Sequence, residues 1–436
     1  MRRYGMSYRA VNQALLRILR RPLVSNAISL YAVQGLNYLV PLLLVPYLLR
    51  VLGPRSYGAI IFAQALMGYA VTVTDYGFNL TAARDISIVR DDAAAVARIY
   101  WTTLAAKLLL ALVSFTFVAM IVLLTPRLRE SWAVTACCGA MVLGSIAFPQ
   151  WYFQGLERLR ETAVIQALAK IVTALAVVAV IHSPSDVLAA AFIMSASQLA
   201  GVAAARCLGK SIAPKLFFRP TAADIRDALA SGWHMFISGA SVTLYAYTNT
   251  FILGLICGEQ AVAVYNVGYR VVIALQSLVN PVAQAVYPRA SLLFNKDPAQ
   301  AWLLITRVAR LLMPAIAAAS VLLAVLAPYV VEIVAGPAYA EAVPVLRILC
   351  IMPVCVTAAL LLAQSVMVNA GLTGPLVRIY LGVGLVNLAV LPGLVWEFAA
   401  NGAALSLVLA ELAGPILMAR SIARHRRAAT GMGLAH

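Results

Sequence analysis

The sequence predicts an all-α membrane protein: twelve transmembrane helices in two six-helix lobes around a central cavity, with a pseudo-two-fold axis along the membrane normal. Three observations predict it. Of 436 residues, 63% are hydrophobic and 11% charged, with a mean hydropathy of +0.90. Soluble chains hold roughly 45–50% apolar and about 25% charged residues. The apolar residues fall in twelve runs long enough to cross a bilayer, which takes about 20 residues per helix. A longer basic stretch, 209–228, with Pro214 and Pro220, divides the runs six and six. This composition excludes a soluble enzyme, a disordered tail and a disulfide scaffold.

The runs lie at about 23–49, 58–81, 99–124, 131–153, 162–182, 187–208, 229–256, 262–287, 304–327, 343–369, 374–396 and 402–420. The first follows Met1-Arg2-Arg3, is too long for a signal-peptide core and lacks a small-residue cleavage site, so it reads as a retained span. Lysine and arginine concentrate in cytoplasmic loops. With the N-terminus inside, 24 of the 33 basic residues fall in inside segments, against only Arg50, Arg55, Arg127 and Arg129 outside. Both termini are therefore expected in the cytoplasm. The expected organisation is a basic N-terminus (1–22), an N-lobe (23–208), a cytoplasmic linker (209–228), a C-lobe (229–420) and a basic tail (421–436). The net charge of +17 is mostly this topology signal, and no nucleic-acid partner is expected. Six cysteines sit in or beside apolar runs without CxxC spacing, and four histidines complete no zinc pattern. Neither metal nor cofactor is expected.

Six spans is an even number, so both halves enter the membrane in the same sense. A faint internal echo accompanies this: Gly53 and Tyr57-Gly58 lead to Gln64, and Gly258 and Tyr265 lead to Arg270. Polar residues recur at helical spacing inside four spans. They are Tyr31, Gln34, Tyr38 and Pro41 in span one, and Gln64, Gly68, Thr72, Asp75 and Asn79 in span two. Span seven carries His234, Ser238, Ser241, Tyr245 and Thr248; span eight carries Asn266, Arg270, Ser277, Asn280 and Gln284. Lipid does not accept such stripes, so they face neighbouring helices or water. Interhelical hydrogen bonding accounts for any single stripe equally well. Four stripes at equivalent places in the two halves favour a shared aqueous cavity.

The ionisable residues sharpen this reading. Arg270 lies about eight residues, ~12 Å, below the outer end of span eight and needs an anion, a carboxylate or water. A phosphate headgroup suits its bidentate geometry; Asp75 or Glu411 is the structural alternative. Lys107 and Lys170 sit at similar depth from the other side, where snorkelling explains them at least as well. Asp75 and Glu411 either carry a coupling proton or cation or pair with a buried arginine. Pro41, Pro46, Gly77, Pro281, Pro314 and Pro353 permit bends in a rocking transporter and equally permit static kinks.

The N-terminal stretch contains Asn26, Tyr31, Gln34, Asn37-Tyr38, Pro41, Pro46-Tyr47, Arg50, Gly53 and Tyr57-Gly58. It continues through Asp75-Tyr76-Gly77-Phe78 to Ala83-Arg84-Asp85. With Pro149-Gln150-Trp151-Tyr152-Phe153-Gln154-Gly155-Leu156-Glu157, and with Asn249, Gly254, Tyr265 and Tyr287-Pro288-Arg289, it resembles the Wzx-type polysaccharide repeat-unit flippases. These are the O-antigen and exopolysaccharide transporters of the multidrug/oligosaccharidyl-lipid/polysaccharide superfamily. The likeness covers about the first 300 residues; beyond them only the hydropathy fits. Where the family's second half often shows a glycine-tyrosine pair, this chain reads Val264-Tyr265-Asn266.

The resemblance implies a bacterial inner-membrane flippase carrying an undecaprenyl-pyrophosphate-linked glycan to the periplasmic leaflet by alternating access. It serves surface polysaccharide and lipopolysaccharide biosynthesis, with a polysaccharide polymerase and a chain-length regulator as partners, and is expected as a monomer. It places the pyrophosphate or acidic sugars on Arg270, Lys107 and Lys170. It assigns Arg50 and Arg84 to headgroup capture, gating or interface anchoring. Gln34, Tyr38, Gln64, Tyr245, Asn266 and Asn280 complete the expected substrate-facing set, with Asp75 and Glu411 in coupling or gating.

Two other classes compete. A cation-coupled drug exporter of the same superfamily calls for a more acidic cavity, yet the spans hold five basic residues and two acidic ones. A membrane polymerase or glycosyltransferase on the same carrier needs a general acid or base on a sizeable outer loop. The largest, about 328–342, holds only Glu332 and Glu341, so no enzyme is expected.

Overall fold

The computed structural model describes residues 22–432, except the side chains of 22–39, 41–42, 234, 238–246, 280–281, 283–285, 287–288, 295, 298–299 and 426–432. The described residues form helices and no strand. Helix Pro22–Asp75 carries spans one and two, and span two resumes after Tyr76-Gly77 as Phe78–Ile88. Span three is Ala93–Leu124, span four is assembled from Trp132–Cys138 and Ala140–Ala147, and span five is Leu159–Val180. Span six bends by 54° between Pro184–Ser195 and Ser197–Cys207. Ala222–Cys257 is span seven, and Glu259–Ser277 with Asn280–Lys296 is span eight. Pro298–Ala335 is span nine. Span ten runs through Ala342–Leu349 and Met352–Leu360 into a π-helical turn, Leu361–Val368, and Thr373–Met432 holds spans eleven and twelve.

Among the described residues, seven stretches are long and apolar enough to cross a membrane, and the bent pair makes an eighth. Two of the seven are double. The helices that hold them, Pro22–Asp75 and Thr373–Met432, have 54 and 60 residues, which at 1.5 Å per residue is ~80–90 Å, over twice a ~30 Å hydrocarbon layer. Each breaks at a residue outside helical conformation, Gly53 or Ala399. Gly402 packs so tightly on the Leu394 carbonyl that no Cβ fits, so the chain folds back at Ala399. Spans seven and eight supply the last two crossings; the described end of span seven, Tyr247–Cys257, is apolar, and span eight carries the polar residues Asn266 and Arg270.

The break glycines expose the internal repeat. Gly53, between spans one and two, has φ 71 and ψ 174; Gly258, between spans seven and eight, has φ 88 and ψ −176. This is one backbone conformation, open essentially only to glycine, at equivalent places in the two halves. Gly336 adopts it again between spans nine and ten (φ 86, ψ 176). These turns gather at one end of the molecule, here the glycine-turn end. The segment joining the halves marks the opposite, linker end.

Side chains are distributed as lipid requires. On span three, Leu108, Leu109, Leu112, Phe117 and Leu124 are exposed, while Ala106, Lys107, Ala111 and Ser114 are buried. An exposed apolar surface repeated over many helices belongs to a multi-pass membrane protein. One apolar core joins both halves, from Leu48, Phe62 and Leu66 to Leu253, Val264, Leu346 and Leu407.

Gly53→Ala and Gly258→Ala are each expected to destabilise the protein by about 1–3 kcal/mol, the cost of a side chain in that backbone region. Melting temperatures in detergent check this. Gly382→Ala, in a helix interior with open space around a Cβ, should not lower the melting point and should raise it slightly.

Candidate functional site

Span two is the element on which the two halves meet. Gly58 lies against the Glu259 backbone, Gly68 against the Tyr247 ring, and Gly254 of span seven against the Phe62 ring, each with no room for a Cβ. Aromatic side chains fill the seam beside these glycines: Tyr69 meets Tyr247 and Phe251 edge-on, and its hydroxyl bonds Thr248 at 2.8 Å. At the glycine-turn end the Arg50 guanidinium donates to the Ile333 carbonyl, and Tyr339 donates to the Leu49 carbonyl at 3.1 Å. Arg55 pairs with Glu259 at 3.7 Å, and Arg127 donates to the carbonyls of Leu255 at 2.9 Å and Gly254 at 3.2 Å. These contacts tie the two halves together at that end, around a cavity of about 580 Å³ lined by Arg55, Arg127, Glu130 and Glu259.

Beneath these contacts lies the most chemically suggestive group. Asn266, 6% exposed, uses one side-chain oxygen to accept from the fully buried Tyr57 hydroxyl at 3.0 Å and from Arg270 Nε at 3.3 Å. Asn266 and Arg270 are four residues apart, so they share the face of span eight that turns to span two. Arg270 itself is exposed. Its guanidinium is thus accessible on the helix that packs against span two, and no carboxylate lies within 4.0 Å of it among the described residues.

The other expected residues are dispersed. Lys107 is 2% exposed; its ammonium donates to Asp75 at 2.8 Å and to the Ser145 carbonyl at 2.6 Å, an internal pair between spans two and three. Asp75 is thus the partner of Lys107. Lys170 lines a cavity of about 380 Å³ inside the first half with Gln64, Gln166, Ser195 and Gln198, where Gln64 donates to Ser195 at 3.3 Å. Glu411 lines a cavity of about 220 Å³ inside the second half with Tyr265, Tyr269, Gln276 and Tyr380. Arg84 pairs with its neighbour Asp85 at 2.9 Å on the surface. The side chains of Gln34, Tyr38, Tyr245 and Asn280 lie outside the described residues. Sequence reading did not single out Tyr57 as a site residue; the only signal was its place in the Tyr57-Gly58 pair. It also passed over a buried network in which Asn387 bonds Asn249 at 3.0 Å and Ser406 bonds Asn387 at 2.6 Å, ordinary interhelical hydrogen bonding.

At the linker end, span two breaks. Tyr76 (φ 46) and Gly77 (φ 78) are both left-handed, and the Tyr76 ring stacks on Phe236 of span seven at 4.6 Å. Span seven starts at Ala222, inside the 209–228 segment, under a capping box of Thr221 and Asp224. Asp224 also holds Arg98 of span three at 2.6 Å. Its hydrogen bonds from Thr221, side chain and backbone, and the Arg98 guanidinium lower its carboxyl to about 2.

A model of the polysaccharide biosynthesis protein family matches residues 23–294. The chain belongs to this family. It is 31% identical over 388 residues to a candidate O-antigen transporter of Escherichia coli (strain K12), covering 88% of this chain and 93% of that one. A second candidate O-antigen transporter, from Shigella dysenteriae, is 27% identical over 406 residues, covering 91% and 99%. Two solved structures share the fold. One is the lipid II flippase MurJ in an inward closed conformation: TM-score 0.73, 10% identity, 91% of this chain and 87% of that one. The other is an inward-facing multidrug-resistance MATE family transporter of the MOP superfamily: TM-score 0.71, 14% identity, 92% and 99%. The family member described here thus has the two-lobe architecture of that superfamily.

Two outcomes are expected of the charged pairs. Asp75→Ala strands a fully buried ammonium and should cost about 3–5 kcal/mol, whereas Lys107→Met leaves a partly hydrated carboxylate and should cost less; thermal unfolding of both variants checks the order. The Asp224 carboxyl is lower in the folded chain than in the unfolded one, so its stabilisation is present above about pH 4. It is lost as pH falls toward about 2. The melting-point gap between wild type and Asp224→Asn should be flat above about pH 4 and close below it.

Proposed function

We propose that the chain flips undecaprenyl-pyrophosphate-linked oligosaccharide repeat units from the cytoplasmic to the periplasmic leaflet by alternating access, for surface polysaccharide assembly. The membrane is the bacterial inner membrane and both termini are cytoplasmic, which makes the glycine-turn end periplasmic. The rigid lobes are 23–208 and 229–420, joined by 209–228. The observation that carries the reading is Arg270: an exposed cation on the helix that packs against the other lobe, beneath the contacts that tie the glycine-turn end together, with no carboxylate within 4.0 Å among the described residues. A diphosphate needs such a group, since its oxygens accept bidentate bonds from the guanidinium. Membership of the polysaccharide biosynthesis family and the relatives' description as candidate O-antigen transporters support the same substrate class.

On this reading Arg270 holds the pyrophosphate and Asn266 supports it. Lys170 and Gln64 offer a secondary polar pocket to the glycan, and Arg50 gates the periplasmic end. Lys107 and Asp75 fix span two rather than touch substrate. Glu411 is left to coupling. The chain itself breaks no bond, and a polymerase and chain-length regulator act on its product.

Deletion of the gene, with complementation by wild type, Arg270→Lys, Arg270→Ala or Arg270→Gln at matched membrane expression, tests this. Surface polymer should disappear and intact lipid-linked repeats accumulate on the cytoplasmic face. Arg270→Ala and Arg270→Gln should fail, and Arg270→Lys should restore part of the polymer. Single repeats stranded on the periplasmic face would instead place the protein after translocation, in polymerisation.

A further inference from the structure

We infer that Tyr57 is a positioning residue that presents the Arg270 guanidinium to the substrate's diphosphate only while the glycine-turn end is closed. This inference rests on the flippase reading. Tyr57 belongs to span two in the first half; Asn266 and Arg270 belong to span eight in the second. The Tyr57 hydroxyl is fully buried and donates to Asn266 Oδ1 at 3.0 Å, and the same oxygen accepts from Arg270 Nε at 3.3 Å.

Two consequences follow from the chemistry. A carbonyl oxygen has two lone pairs, and both are engaged here, so the amide cannot rotate without losing a bond in a buried site. Holding Arg270 by Nε leaves its two terminal nitrogens as a parallel fork, the geometry that meets two phosphate oxygens at once. The tyrosine sits one residue from Gly58, which presses on the Glu259 backbone, and two from Arg55, which pairs with Glu259. Any parting of the halves at this end carries Tyr57 away from Asn266. The arginine then loses its brace and regains rotamer freedom. The anion site is therefore tight while substrate enters from the linker end and weakened when the other end opens. A conformational cycle does directed work only through such a difference in affinity between its states.

The test is a thermodynamic cycle on the purified full-length protein in detergent, with undecaprenyl pyrophosphate as ligand and thermal melts confirming that each variant is folded. Tyr57→Phe removes one oxygen and keeps the ring; it should weaken binding about fivefold, the scale of one neutral hydrogen bond. Arg270→Ala should weaken it further, and the Tyr57→Phe/Arg270→Ala double variant should bind no worse than Arg270→Ala alone. Asn266→Asp places a carboxylate on the guanidinium and should match Arg270→Ala. Bridging Arg55→Cys and Glu259→Cys with a short bifunctional thiol reagent should preserve affinity while blocking transport. Strict additivity of Tyr57→Phe and Arg270→Ala, or a bridged protein that binds about tenfold more weakly, overturns the inference and leaves the flippase reading standing. Wild-type affinity in Arg270→Ala overturns the role of Arg270 on which both depend.

Discussion

The close approach of span two to spans seven and eight is the constraint on which the rest of this structure depends. Within a bilayer, apolar surface gains little by moving from lipid to protein, so helices associate through packing and hydrogen bonds, and small residues bring their backbones together. Gly58 and Gly68 on span two and Gly254 on span seven do this at three levels. The depth at which Tyr57 meets Asn266, and Tyr69 meets Thr248, is set by these contacts. The contacts at the glycine-turn end, where Arg50, Arg55, Arg127 and Tyr339 reach carbonyls or carboxylate across the seam, build on the same register.

The in-span charges divide by how they are compensated. A fully buried ammonium is tolerable only when paired and hydrogen-bonded, and Lys107 satisfies both conditions through Asp75 and the Ser145 carbonyl. That pair sits at the foot of the helix immediately before the left-handed Tyr76-Gly77 break, so it anchors the point where span two changes direction. Arg270 is compensated differently. It keeps access to solvent and is braced by an amide, which orients the guanidinium without neutralising it. Two in-span cations are thus held differently, one by a carboxylate and a carbonyl, the other by an amide oxygen.

Much of the architecture was legible in the sequence because hydropathy is a strong signal in lipid. The runs and the basic linker gave twelve crossings in two sixes, and the echo of Gly53 and Gly258 marked turns that share one backbone conformation. Breaks were legible in part: Gly77 and Pro281 marked places where a helix can bend, and Ala399 falls between the runs 374–396 and 402–420, but nothing in the sequence distinguished a true break from a static kink. Site residues were harder still. Spacing along one helix tells which residues share its face but not which helix lies opposite. Asp75 and Lys107, 32 positions apart, were therefore not read as each other's partners: Asp75 was matched with an arginine or a coupling ion, and Lys107 with substrate or snorkelling. Tyr57 looked like part of a glycine-tyrosine pair because its partner is 209 positions away.

The matching conformations of Gly53 and Gly258 bear on how such a chain arises. Each half has an even number of crossings, so a six-helix ancestor begins and ends on the same side of the membrane. Copying it in tandem needs only a short hydrophilic join, and the second copy inserts in the same sense as the first. Inverted repeats, built from odd numbers of crossings, need an ancestor able to insert both ways. No reversal of the loop-charge bias is required here. A turn of this shape is open essentially only to glycine, so the two halves carry one at the same place whatever side chains flank it.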